Sequence, residues 1–183
     1  MLLHRSYYGI ALGLIAYLAA CSDRKESVGP RTEGMTMGGP SFTMGSGTTS
    51  TPLGRATFSD PKDQNFDVKR ITDDWHMQIK AKPAFDIAVQ SIVFQPSGQS
   101  GWHTHRGPVF IQVVSGTMTF YQSDDPTCTP IVRTAGQGFL DLGEHAHIAR
   151  NESALPATNL VTYFVPPGAP LKDDAPNPGN CPF

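Results

Sequence analysis

Several signatures that betray an enzyme class are missing from this chain. It holds no Gly-x-Ser-x-Gly, no phosphate loop and no Cys or Lys nucleophile motif, so nucleophilic hydrolysis and nucleotide binding are not indicated. Charge of one sign is lacking too: 14 basic residues face 16 acidic ones, which offers nothing to nucleic acid or to a strongly anionic partner. Long helical patterns are scarce. Cysteine is limited to 3 residues, and the longest apolar run, Tyr7 to Ala20, has only about 14. What the chain does have is 18 glycines and 16 prolines. They punctuate short β-branched and aromatic runs, the pattern of an all-β sandwich or barrel. At 183 residues, one domain with a real core is expected.

The apolar run follows His4 and Arg5, and it is shorter than the roughly 20 residues that span a bilayer, so it reads as the core of an export signal. Leu18-Ala19-Ala20-Cys21 resembles the lipobox of bacterial lipoproteins, which implies lipidation of Cys21. The alternatives are a cleaved signal or a short membrane anchor. By the same resemblance, Ser22 favours the outer membrane of a Gram-negative cell, facing the periplasm, and Asp23 is not placed to retain the protein at the inner membrane. Residues 1–20 thus read as a signal peptide, and residues 21–57, almost without aliphatics, as a flexible tether. Met35, Met37 and Met44 in the tether are soft enough for Cu(I), but ordinary tether composition accounts for them.

Residues 58–183 form the predicted barrel domain, with its core at 85–166. Strands are expected at Trp75–Lys80, Phe85–Phe94, Trp102–His105, Val109–Val114, Thr117–Tyr121, Ile131–Thr134, Phe139–Leu142, His145–Ala149 and Asn159–Val165. Gln95-Pro96-Ser97-Gly98 reads as a turn, and Ser115-Gly116 as a tight hairpin. The nearly continuous apolar run Val109–Val114 predicts burial of both faces. Four of the 6 histidines fall in two His-x-His pairs, His103/His105 and His145/His147. Side chains at i and i+2 leave one face of a strand, so each pair can aim two imidazoles at one point. Convergence of the pairs would create a site for one metal ion. His76, alone in sequence, reads as a surface or packing residue.

The stretch from Gly98 to Asn151 resembles the cupin superfamily, small jelly-roll barrels built as a double-stranded β-helix. His103, His105 and Gly116 match its first motif; Gly136 or Gly138, Gly143, His147 and Asn151 match its second. Three positions depart: Val109 stands where the family places a glutamate, Asp141 where it places a proline, and one extra residue precedes His147. The resemblance therefore implies a divalent transition metal ion (Fe, Mn, Ni, Cu or Zn) on His103, His105 and His147, without a carboxylate. His145 would be a fourth ligand or a proton shuttle, and Asp141 and Glu144 would be outer partners of an imidazole. Gln112 falls on the opposite face from Val109. Open coordination positions imply dioxygenase-like chemistry on a small chelating molecule, with a non-catalytic metal- or ligand-binding barrel as the alternative. A homodimer is implied by resemblance alone. In an exported protein Cys128 and Cys181 read as one disulfide holding a proline-rich tail, rather than as two free thiols at the metal site.

Overall fold

The computed structural model describes residues 41–60, 65–69, 76–81 and 84–183, with backbone alone for 65–69 and 76–79. The signal peptide, the Cys21 lipidation site, Met35, Met37 and the His76 side chain lie outside the described residues. The described part is all-β. Its strands are β1 (Met44–Phe58), β2 (Asn65–Lys69), β3 (His76–Lys80), β4 (Phe85–Gly101), β5 (His103–Thr104) and β6 (Val109–Ser115). There follow β7 (Thr117–Gln122), β8 (Ile131–Thr134), β9 (Gly138–Asp141), β10 (His147–Arg150), β11 (Ala157–Val165) and β12 (Asp173–Asp174).

Two antiparallel layers make a nearly closed barrel, in keeping with the jelly-roll expectation. One runs β1-β4-β11-β6-β9; the other runs β12-β5-β10-β7-β8. The last residues of β4 join them, because Gln99 pairs with Arg150 of β10. β2 and β3 form a separate two-stranded ladder. The core is filled from both layers, by Val109, Ile111, Phe139 and Val161 on one side and Met118 and Phe120 on the other. Phe120 and Phe139 stack at 4.4 Å across the gap. Along β11 the alternation is complete: Ala157, Asn159, Val161, Tyr163 and Val165 are buried and the residues between them are not.

Four expectations are corrected. The supposed tether does not reach residue 57, for Met44–Phe58 is a strand paired with β4 along its length. Backbone pairing, not apolar burial, holds it, since nearly all its side chains are exposed. Two side-chain anchors help: Arg55 Nε and Thr57 Oγ1 each donate to the buried Asp86 carboxylate at 2.6 Å. Gln95–Gly98 does not end its strand but swells it, with Phe94 opposite Thr48 and Gln99 opposite Ser46, so that four residues face Gly47 alone. Such a bulge bends a strand, and here it carries β4 from one layer into the other.

The third correction concerns Ser115-Gly116. β6 pairs with β9 and β11, whereas β7 pairs with β8 and β10, so the two residues form a corner between layers and not a hairpin. Gly116 has φ +77°, and a Cβ there would lie 2.8 Å from Ala157, which explains why glycine makes the corner. Fourth, β6 buries one face only. Phe110, Gln112 and Val114 are exposed and alternate with buried Val109, Ile111 and Val113. Among the described residues no second layer covers the outside of this sheet, so its apolar residues alternate between core and solvent.

Candidate metal centre

The layer carrying β5 and β10 brings the histidines together by register. His103 is the direct rung partner of His147, and His105 follows two residues beyond His103 on the same chain. All three are buried, at 5, 7 and 1 % exposure. Ring centroids are 4.4 Å apart for His103–His147, 4.8 Å for His103–His105 and 5.2 Å for His105–His147. One candidate ligand atom from each ring lies within 4.8 Å of the others, the only such group of three or more His, Cys, Asp or Glu found among the described residues.

Hydrogen bonds decide which nitrogen is free. His103 Nδ1 lies 2.8 Å from the Gly101 carbonyl oxygen, and His105 Nδ1 lies 2.6 Å from that of Leu171. A carbonyl only accepts, so in each ring Nδ1 carries the proton and the neutral Nε2 keeps its lone pair. Burial, the largest influence, pushes His103 down to about 3 and holds His105 and His147 below their ordinary value; neighbouring imidazoles add to this for His103 and His147. Three imidazoles that stay neutral at physiological pH suit a transition metal ion, since no proton competes for their lone pairs. His147 Nδ1 is buried without a hydrogen-bond partner, a vacancy in the polar accounting that fits a site meant to hold a cation.

Asp141 lies beside the cluster. It ends β9 opposite Val109, is 4 % exposed, and places Oδ2 3.5 Å from His147 Nδ1 and 3.9 Å from His105 Nε2. Burial raises its carboxyl above the ordinary value, against the lowering effect of the Gly143 backbone amide and then of His105. Gly143 itself has φ +82°, and a Cβ there would meet the His105 carbonyl oxygen at 2.8 Å. The turn between Asp141 and β10 is thereby fixed against the first histidine segment.

Other predicted site residues lie elsewhere. β10 begins at His147, so His145 precedes the strand and does not share its face. Its side chain is 55 % exposed, and Nε2 sits 3.7 Å from Asp124 Oδ2. Glu144 is exposed, and Gln112 points to solvent as expected. Val109 is fully buried and apolar. Asn151 is structural: its Nδ2 donates to the Phe94 and Leu155 carbonyls, and its Oδ1 accepts from Ser153.

Sequence reasoning missed two contributors. Tyr163 packs edge-on against His105 at 5.6 Å; its odd-numbered place on the alternating β11 is the signal that could have shown it. The Leu171 carbonyl, which orients His105, carries no side-chain signal at all. Both residues also line a cavity of about 440 Å³, with Ser50, Gln90, Phe94 and Ser100.

The tail closes the site. β12 pairs with β5, placing Asp173 opposite Thr104 and Asp174 opposite His103. The expected Cys128–Cys181 disulfide is present, with a sequence separation of 53, and neither sulfur belongs to the histidine cluster.

No known family profile matches the chain, and no curated protein matches it. Among solved structures, similarity extends to the cupin-2 domain of an XRE family transcriptional regulator from Enterobacter cloacae, at 17% identity and TM-score 0.42, covering 66% of this chain and 98% of that one. A conserved protein with a double-stranded β-helix domain from Klebsiella pneumoniae shares 18% identity at TM-score 0.43, over 50% of this chain and 76% of that one. The polyketide cyclase RemF from Streptomyces resistomycificus shares 14% identity at TM-score 0.43, over 69% of this chain and 75% of that one.

Proposed function

We propose that the chain is a lipid-anchored protein of the bacterial cell envelope whose barrel holds a divalent transition metal ion and acts on a small chelating molecule. The observation that carries this reading is the convergence of three buried neutral imidazoles, two with a fixed tautomer. His103, His105 and His147 would hold the ion. When bound, the ion supplies Lewis-acid or redox chemistry at coordination positions left open to the ligand. Tyr163 would wall the ligand space with an apolar ring face, and the Leu171 carbonyl would keep the His105 lone pair turned inward. Anchoring rests on the sequence alone, through Leu18-Ala19-Ala20-Cys21.

Elemental analysis of the purified protein should find about one equivalent of one transition metal, and His103→Ala should lose it. Oxygen uptake with catechol, diketone and thiol panels should then depend on added Fe(II), Ni(II) or Cu(II). A non-catalytic binding module is favoured by one observation: His145, the expected proton shuttle, faces solvent and Asp124. Ligand binding that survives metal removal would select that second reading.

A further inference from the structure

The Asp141 carboxylate accepts from the Gly143 backbone amide, but one of its oxygens is left over. Its Oδ2 is buried and accepts no hydrogen bond, a condition that costs free energy when left uncompensated. The neighbouring His147 Nδ1 is 3.5 Å away, beyond the 2.7–3.2 Å range of an N–H···O bond. The other neighbour, His105 Nε2, is 3.9 Å away. That nitrogen bears a lone pair, because the ring proton is committed to the Leu171 carbonyl. The two atoms thus face each other inside the barrel without a hydrogen bond between them, an arrangement that a cation would relieve.

The distances suit such a cation. Ligand atoms about 2.0–2.2 Å from a tetrahedral or octahedral ion stand about 3.0–3.5 Å from each other, so small rotations would bring Oδ2 and Nε2 onto one ion. The register agrees as well: cross-strand partners point to one face, and the rung partner of Asp141 is the inward, fully buried Val109. We propose that Asp141 supplies, through Oδ2, a fourth protein ligand to the ion held by His103, His105 and His147. The carboxylate reduces the charge of the centre from +2 to +1, so the site favours a neutral or monoanionic chelator over a dianion.

This inference rests on the metal-centre reading, and the test separates the two. Metal affinity is measured by chelator competition in the full chain for wild type, Asp141→Asn, Asp141→Ala and His103→Ala. Asparagine keeps an acceptor oxygen but loses the charge. Both Asp141 variants should bind at least about 100-fold more weakly than wild type, beyond the effect typical of an outer partner, and their Co(II) ligand-field bands should shift. If Asp141→Asn binds like wild type, whatever Asp141→Ala does, Asp141 is no ligand and the inference fails alone. If wild type binds no metal, the centre itself falls, and the inference with it. Infrared difference spectra of wild type with ¹³C-labelled aspartate need no variant to fold: a metal-dependent carboxylate shift is expected, and its absence overturns the assignment.

Discussion

A neutral imidazole packed in a barrel leaves a record in the acid response of the protein. In the unfolded chain histidine takes its proton near pH 6.5, whereas burial delays His103 to about 3. Between those values the unfolded state binds more protons, so stability is complete above about pH 6.5 and declines as pH falls toward about 3. The melting temperature of metal-stripped protein should therefore drop steadily from pH 7 to 5, and His103→Gln should make that slope shallower; a flat Tm over the range would show the rings to be hydrated. At this scale the sequence was readable where chemistry depends on side-chain identity and period. His103, His105 and His147 converge because i and i+2 share a face and because His103 meets His147 across one rung. His145 has the same spacing from His147 but lies in a bend before β10 begins, whereas His105 directly follows β5 and keeps its alternation of burial. The acceptors of Gly101 and Leu171 were invisible, since every residue has a carbonyl.

Among the elements, β1 departs furthest from its composition. Rich in Ser, Thr and Gly, it reads as a tether because it has almost nothing to bury. A strand can also be held by its ladder and a few charged hydrogen bonds, and β1 has both in its register with β4 and in Arg55 and Thr57 at Asp86. Asp86 is held down at about 2, first by the Thr57 hydrogen bond, then by the Gly168 amide, with Arg55 adding to them. A chain starting at Asp60 should thus melt on the order of 5 °C lower than one starting at Ser41, with metal retained. Equal melting temperatures would restore the tether. The corner at Gly116 teaches a similar lesson. Ser-Gly between two apolar runs signals a reversal, but only the partners of β6 and β7 show that the reversal changes layers. Pairing is a long-range property, and local turn chemistry does not encode it.

For the molecule as a whole, the double-layered β architecture was legible from short runs and abundant turn residues, and the disulfide from cysteine arithmetic. Less legible was the reach of the tail into the centre. Cys181 is bonded to Cys128, Asn180 Nδ2 donates to the Gln122 and Asp125 carbonyls, and Phe183 packs on Tyr121 at 5.0 Å. These ties hold β12 on β5 and Leu171 on His105. Closing a loop of 53 residues contributes about 4 kcal/mol in the chain-entropy model. The Cys128→Ser/Cys181→Ser double variant should lose stability of about that size in urea denaturation, and should release metal faster to a chelator. Unchanged release would uncouple the strap from the ion.

His105 takes its orienting carbonyl from a residue 66 positions later. All three imidazoles are therefore synthesised before the group that aims one of them. A nascent chain halted after Val165 would own every histidine of the cluster yet lack the carbonyl that receives the His105 Nδ1 proton. The ring of His105 is aimed only once the tail has folded back onto β5.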